Sequence, residues 1–406
     1  MTHIQILANS LGYIGMILIW LQIVLGSRHV FKYFTTDNVK MNKIHKWLGI
    51  YGGLLVFLHP IEEMMAYMSS WSWIFILNFN FVNETAISLG RIGLYLMLSI
   101  WVTSAIVREQ IKWKPWKYIH LLAYPLFIFV WMHAMGAGRW AQNVYVLFFL
   151  KALMFVFLLI LVRRLMSWSG FFKYKYKVKS IMIGDIITLT LAPIDSVSIA
   201  METWVEQLFT DIYMPTPRIG QHIYMQTKRF RSEHPFTVMQ SGPIDNEGLA
   251  TGDIQLGIRN SGNFAVSISN MKIADIVYID GPYGVFTKQA QSTEPKVIIS
   301  AGVGVTPFVD LVRHFGGAET MYINCNKDKE SVYKRDFLLT RVGGYIDVYE
   351  ILNGNIVNNF LSIKGKALND YKYFVCGSPT FVMYVKGLLK DLKVKKKLVF
   401  TEDLGY

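Results

Sequence analysis

The chain has 406 residues, a formal net charge of +13 and a composition that is 52% hydrophobic and 15% aromatic. That length has room for two or three domains, and the mean hydropathy of +0.31 is high for a wholly soluble protein. Only two cysteines, Cys325 and Cys376, are present, which excludes both a disulfide framework and a cysteine zinc cluster.

The apolar residues are concentrated in the first 165 positions. Residues 4–26, 47–68, 87–107, 119–135 and 143–162 each come near the roughly 17–25 residues that a membrane-spanning helix requires. Lys and Arg alternate with these segments. Arg28, Lys32, Lys40, Lys43 and Lys46 crowd one loop, Arg108, Lys112, Lys114 and Lys117 another, and Arg163 with Arg164 end the last segment. The loops 69–86 and 136–142 are nearly free of them. This is the positive-inside pattern and not a nucleic-acid surface. It predicts five spans, an N-terminus outside the cell membrane, and a cytosolic remainder from about residue 165. Trp71–Val82 is aromatic but too short to span and is expected in the outer interface. No basic stretch precedes the first span, which disfavours a cleaved signal peptide.

Within this half, His45 and His59 lie on one span and His120 and His133 on another. Histidine is costly in a membrane helix unless something pairs with it. Two facing helices with a histidine near each end can clamp two b-type haems through neutral imidazole nitrogens. The inner haem would take His45 and His120, the outer one His59 and His133. The fourteen-residue step from His45 to His59 returns to within roughly 40° of the same helix face. The thirteen-residue step from His120 to His133 leaves those rings roughly 140° apart on an ideal helix. Pro125 lies between them and can kink or unwind the segment. Gly49, Gly52 and Gly53 either admit a flat macrocycle or simply pack helices. Phe127 and Trp131 are either an aromatic step between haems or core residues. Arg91 and Arg139 either pair with haem propionates or snorkel to the interface.

Beyond residue 170 the chain reads as strands, turns and charged helices. Strand-like alternation runs from Val178 to Leu191, followed by Gly220-Gln221-His222 and by Glu233-His234-Pro235-Phe236-Thr237-Val238. Ile258-Arg259-Asn260-Ser261-Gly262 and Asp280-Gly281-Pro282-Tyr283-Gly284 come next. The apolar strand Lys296–Ser300 then runs into Ala301-Gly302-Val303-Gly304-Val305-Thr306-Pro307-Phe308, with a helix expected through Arg313. Strand, glycine turn and helix is the setting in which backbone N–H groups bind pyrophosphate. Tyr373–Pro379 reads as a second strand ending in a small-residue turn at Cys376-Gly377.

This ordered set resembles the ferredoxin–NADP reductase superfamily. With the paired-histidine spans and the variant His-Pro-Phe-Thr-Val, it is similar to the NADPH oxidase and ferric reductase family, of the prokaryotic type, over about residues 28–406. The resemblance implies a multidomain fold. Residues 1–165 would form a transmembrane di-haem helical domain, 166–290 an antiparallel FAD-binding β-barrel, and 291–406 a Rossmann-like α/β domain for NADPH. It further implies that His234, Pro235, Phe236 and Thr237 cradle the isoalloxazine and its ribityl chain, and that Arg259 and Gly262 meet the FAD pyrophosphate. Gly302, Val303, Gly304, Thr306 and Pro307 would hold the NADPH pyrophosphate. Cys376, as catalytic residue, and Gly377 would flank the nicotinamide, with Tyr406 or Leu404 near the flavin face. Lys327 and Arg335 either bind a 2′-phosphate or are solvated charges. The chain departs from the family in Phe264-Ala265, where Trp-Thr is usual, and in Glu62 and Glu63 beyond His59.

The implied activity is electron transfer from NADPH through FAD and two b-type haems to an outside acceptor. That acceptor is expected to be dioxygen, giving superoxide. A ferric chelate, or an extracytoplasmic protein that receives electrons, is the alternative. Membrane lipid is an expected partner; nucleic acid and an obligate protein partner are not.

Overall fold

The computed structural model describes residues 3–31, 34–67, 70–194, 214–242 and 252–403. Leu404 and Tyr406 lie outside the described residues. The chain divides into two compact units, Met1–Leu165 and Met166–Tyr406.

The first unit is helical: α1 (His3–Leu25), α2 (Asn38–Ala66), α3 (Val82–Trp101), α4 (Trp113–Leu121), α5 (Ala123–Ala137) and α6 (Val144–Trp168). Among the described residues, four stretches are long and apolar enough to cross a membrane: His3–Leu25, Val82–Ile106, Trp113–Ala137 and Val144–Trp168. The fifth expected span falls in α2. At 29 residues α2 is long enough, but it carries Lys40, Lys43, Lys46, Glu62 and Glu63. Lysines near a helix N-terminus and glutamates near its C-terminus oppose the macrodipole, so helix propensity did not place these charges. Asp37 caps α2 by accepting from the Lys40 N–H at 2.9 Å. The segment Trp71–Phe75 forms a short 3₁₀ turn, and the side chains of Trp71, Phe75, Phe79 and Phe81 are exposed.

α1 packs along α2 and α3 along α5. The unit's core joins Met16, Ile19 and Ile23 of α1, Leu126 and Phe127 of α5, and Leu150, Leu153 and Phe157 of α6. Two indoles fasten α6: Trp20 Nε1 donates to the Leu153 carbonyl at 3.1 Å and Trp131 Nε1 to the Leu150 carbonyl at 2.9 Å. Phe127 is fully buried against Phe157, with ring centres 4.8 Å apart. Both expected aromatic steps are therefore core residues of the α5–α6 contact.

The second unit begins with β1 (Tyr174–Met182), β2 (Ile186–Pro193), β3 (His222–Gln226), β4 (His234–Ser241), β5 (Ile254–Arg259) and β6 (Ile276–Tyr283). These close an antiparallel barrel in the order β1-β2-β5-β4-β3-β6. The alternating run Val178–Leu191 is thus a hairpin, broken where Ile183-Gly184-Asp185 turns the chain back. Helix α7 (Gly262–Ser269) follows β5.

The remaining strands, β7 (Lys296–Ala301), β8 (Gly317–Cys325), β9 (Val342–Val348), β10 (Lys372–Gly377) and β11 (Val399–Asp403), form a parallel sheet ordered β11-β10-β7-β8-β9. Helix α8 (Thr306–Phe315) connects β7 to β8, and α9 (Pro379–Asp391) connects β10 to β11. Every residue of Lys296–Ser300 is buried, as expected for a strand covered on both faces. The chain proceeds from β7 through β8 to β9 in one direction and from β10 to β11 in the other. The β7–β10 border is therefore a topological switch point, where open α/β sheets bind ligands.

The barrel and the sheet touch through a hydroxyl pair, Thr188 Oγ1 to Tyr333 Oη at 2.6 Å. Tyr333→Phe removes it at the cost of about 0.5–1.5 kcal/mol. The expected outcome is a modestly lower unfolding midpoint in detergent, with helical content unchanged by circular dichroism.

Candidate functional site

The four membrane histidines meet in two pairs. His45 and His120 have ring centres 5.9 Å apart with planes at 68°, and His59 and His133 are 6.2 Å apart at 63°. The difficulty of the thirteen-residue step is resolved by a break in the second histidine helix. Pro125 cannot donate to the Leu121 carbonyl and its ring crowds that group. The helix accordingly ends at Leu121 and restarts at Ala123, which frees His120 and His133 to face the same helix.

Two of the four rings are seated by a repeated backbone device. His59 Nδ1 lies 2.9 Å from the Ala8 carbonyl, and His133 Nδ1 lies 3.0 Å from the Ala86 carbonyl. Four residues after each carbonyl stands a glycine, one turn along the same helix face. A Cβ at Gly12 would lie 2.8 Å from the His59 ring, and one at Gly90 would lie 2.6 Å from His133 Nδ1. Gly26, four residues after Gln22, lies beside His45 with its Cβ position 3.3 Å from the ring, but His45 Nδ1 is buried without a hydrogen-bond partner. His120 Nδ1 meets a side chain instead, lying 3.2 Å from the Ser104 hydroxyl.

With the Nδ1 proton committed to a carbonyl, the imidazole is neutral and Nε2 keeps its lone pair for a metal. Metal–imidazole bonds of ~2 Å, plus ~1 Å from nitrogen to ring centre, put two axial rings ~6 Å apart. Both pairs fit that spacing. Among the described residues no group of three or more His, Cys, Asp or Glu could hold a metal ion.

Other expected residues of this half have different tasks. Gly49 faces Gln22, Gly52 faces Leu18, and a Cβ at Gly53 would be 2.3 Å from the Trp101 ring. These glycines therefore pack α2 against its neighbours. Arg91 is 8% exposed, donates to the Ile76 carbonyl and lies over the Trp73 ring at 4.6 Å. Arg139 donates to Tyr67 Oη at 2.8 Å.

In the second unit, His234, Pro235, Phe236 and Thr237 form the start of β4. Phe264, in the first turn of α7, packs with its ring centre 4.1 Å from that of His234, tilted by 37°, and stacks on Phe236 at 5.4 Å. The substitution of phenylalanine for the family's tryptophan thus keeps an aromatic platform against the motif. Arg259 is exposed at the end of β5 and Gly262 opens α7, so both lie at the same edge of the barrel.

The glycine turn follows β7 at the switch point. Gly302 has φ +52°, a left-handed conformation that favours glycine, and nothing lies within 4 Å of its Cβ position. Gly304 is packed directly on the end of β10: a Cβ there would lie 2.3 Å from the Cys376 carbonyl and 2.9 Å from Gly377 Cα. Thr306 Oγ1 donates to the Val303 carbonyl at 2.9 Å, and Pro307 occupies the first turn of α8, where its missing N–H is harmless. The structure therefore brings Gly302–Pro307 and Cys376–Gly377 together.

The Cys376 side chain is fully buried, in the core with Ile298, Phe308 and Phe374. Its backbone, and not its thiol, faces the turn. Burial pushes the Cys325 thiol up to about 12, which keeps it protonated and unreactive. Arg335 Nε donates to the Asp347 carboxylate at 2.8 Å, so that guanidinium already has an anionic partner.

A helical unit with membrane-length apolar helices and two imidazole pairs, followed by an antiparallel barrel and a parallel sheet with a phosphate-type turn, has the fold arrangement of a ferredoxin–NADP reductase-like unit joined to a membrane domain. Residues 11–131 match the family model described as "Ferric reductase like transmembrane component". Ferric reduction oxidase 5 of Arabidopsis thaliana is 23% identical over 281 residues, covering 67% of this chain and 34% of that protein. A flavohemoprotein of Bordetella pertussis is 21% identical over 276 residues, 59% of this chain and 62% of that protein. Ferric/cupric reductase transmembrane component 7 of Saccharomyces cerevisiae is 28% identical over 160 residues, 38% of this chain and 24% of that protein. The FAD/NAD-binding domain of a Vibrio cholerae nitric oxide dioxygenase aligns with a TM-score of 0.44 and 16% identity, over 58% of this chain and 99% of that one. The first part of the chain is thus similar to ferric reductase transmembrane components, and the chain spans about a third of the length of the plant reductases it matches.

Gly304→Ala is expected to push the turn off Cys376. Dinucleotide binding, read by quenching of intrinsic fluorescence on titration with NADPH, should weaken at least tenfold, whereas a Gly387→Ala control, open on the surface of α9, should bind as the parent does.

Proposed function

We propose that this protein is a transmembrane NAD(P)H oxidoreductase that moves electrons from cytosolic NADPH to an acceptor on the outer side of the cell membrane. The observation that carries the reading is the two imidazole pairs at the ~6 Å spacing of shared axial ligation. His45 with His120 and His59 with His133 would each hold one b-type haem. His234–Thr237 and Phe264 would line the isoalloxazine of FAD, with Arg259 and the Gly262 end of α7 at its pyrophosphate. Gly302, Val303, Gly304, Thr306 and Pro307 would take the NADPH pyrophosphate on backbone N–H groups at the start of α8. Cys376 and Gly377 would position the nicotinamide through the backbone at the end of β10. Tyr406, from the sequence, is a candidate cover for the flavin.

When bound, FAD accepts an electron pair and releases single electrons, and the haems relay single electrons. The protein's own part is to hold these groups in line, keep the imidazoles neutral and exclude water. The positive-inside pattern supports a cytosolic dehydrogenase unit, and outward movement of an electron against an inside-negative potential is favourable by about 2.3 kcal/mol per 100 mV.

Dioxygen, reduced to superoxide, is the acceptor of this reading. A ferric chelate is the second, favoured by the names of the plant and yeast relatives and by Glu62 and Glu63 beyond His59. Anaerobic stopped-flow mixing of the FAD-loaded protein with NADPH, monitored at the haem bands, tests the shared core. Haem reduction is expected. Rapid reoxidation on admitting oxygen, with superoxide trapped, supports dioxygen; slow reoxidation by oxygen and fast reoxidation by ferric citrate supports the chelate. No haem band at all defeats both. In addition, Gly90→Ala should lower haem affinity at one of the two sites by roughly 10–100-fold, reducing the haem content measured by pyridine haemochrome towards half.

A further inference from the structure

The four imidazoles are not held alike. His59 and His133 give their Nδ1 protons to main-chain carbonyls, which side-chain substitution does not remove. His120 Nδ1 instead meets Ser104 Oγ at 3.2 Å, and that same oxygen accepts from Trp116 Nε1 at 3.1 Å. Trp116 precedes His120 by one turn and stacks on it, with ring centres 4.8 Å apart and planes at 23°. The Arg108 guanidinium lies over the Trp116 ring at 4.5 Å.

The backbone is shaped to bring Ser104 there. The last turn of α3 widens into a π turn over Val102–Ile106, with the Val107 N–H bonding to the Val102 carbonyl at 3.1 Å. Such turns recur at functional positions. The adjacent Thr103 takes the local option and donates to the Ser99 carbonyl at 2.7 Å. Ser104, by contrast, reaches across to α4.

We propose that Ser104 and Trp116 are positioning residues that set the electron-donating strength of His120, and through it the reduction potential of the haem shared by His45 and His120, independently of the other haem. This rests on the haem reading above. With Nε2 on iron, the proton sits on Nδ1 and Ser104 Oγ must accept it. An acceptor at Nδ1 makes the imidazole a stronger donor and favours the ferric state, which lowers the potential. Trp116 donates to the same oxygen and so weakens it as an acceptor. Arg108 over the indole polarises the Nε1–H and reinforces that effect.

Two substitutions therefore act with opposite sign. Ser104→Ala removes the acceptor and raises the potential. Trp116→Phe keeps an aromatic ring on His120 but returns a lone pair to Ser104, and lowers it. Ser104→Thr retains the hydroxyl and restores the parental value. A purely structural role for the cluster gives no such sign reversal.

The test is a spectroelectrochemical titration of the full-length holoprotein in detergent, resolving two one-electron haem components. One component is expected to shift upward in Ser104→Ala, downward in Trp116→Phe and back to the parental value in Ser104→Thr, while the other stays fixed. Unshifted components, or shifts of one sign in both variants, overturn the relay. If Ser104→Ala fails to load haem, Trp116→Phe decides alone: a downward shift supports the proposal, and a rise or no change overturns it. A parent protein without haem removes the underlying reading and the relay with it, whereas two haems indifferent to these residues leave that reading standing.

Discussion

An imidazole inside an apolar bundle carries an N–H that bulk water does not reach, and leaving it unpaired costs about 1–3 kcal/mol. Helix carbonyls are the nearest acceptors, but each is screened by the side chain one turn further along its own helix face. Glycine at that position removes the screen. Ala8 with Gly12 and Ala86 with Gly90 are two instances, serving His59 and His133. This requirement fixes how closely α1 approaches α2 and α3 approaches α5. The pairing of His45 with His120 and of His59 with His133 depends on those two contacts.

The dehydrogenase unit meets a comparable constraint with backbone against backbone. Phosphate recognition needs N–H groups at a helix start and a strand end free of bulk. Gly304 supplies this by lying against Cys376 and Gly377, so the β7 turn and the β10 end become one surface. The same turn is tied to the barrel, because a Cβ at Gly257 of β5 would lie 2.4 Å from Thr306 Cγ2. The strand that leads to Arg259 thus rests on the first residue of α8. The β5 side of the barrel and the β7–β10 border of the sheet are fixed to each other through glycine contacts.

Sequence pattern exposed the features that repeat or run in order. Spacing alone placed His45 and His59 on one face, and Lys296–Ser300 followed by Gly302–Thr306 announced the switch-point turn. The His120–His133 step resisted the ideal-helix argument because the helix is not ideal: Pro125 denies a bond to Leu121 and the axis breaks there. The glycines carrying the imidazoles were missed because the signal, a glycine four residues after an accepting carbonyl, lies on helices without histidine ligands. Gly49, Gly52 and Gly53 drew attention instead because they share a helix with His45 and His59. Trp116 was one helical turn from His120 and legible in principle. Ser104 was not, since a π turn has no strong sequence signature and its partner is on another helix.

A relay that moves electrons through two similar sites must distinguish them, and the two imidazole pairs differ in both hydrogen bonding and surroundings. Around His120 stand Trp116, Arg108 and, through its bond to Tyr124 Oη at 2.6 Å, Arg164. At the other end, Arg139 is accompanied by Glu62 and Glu63. Cationic neighbours stabilise an added electron, and a weakened acceptor at Nδ1 acts in the same direction. Under the proposed reading, both effects make the His45–His120 end the better place to receive an electron. Onward movement to the His59–His133 end is then uphill in local electrostatics. The membrane potential, at about 2.3 kcal/mol per 100 mV for a full crossing, opposes that slope. Under that reading, a chain so arranged would take up electrons readily on the nucleotide side, and the energised membrane would help to draw them outward.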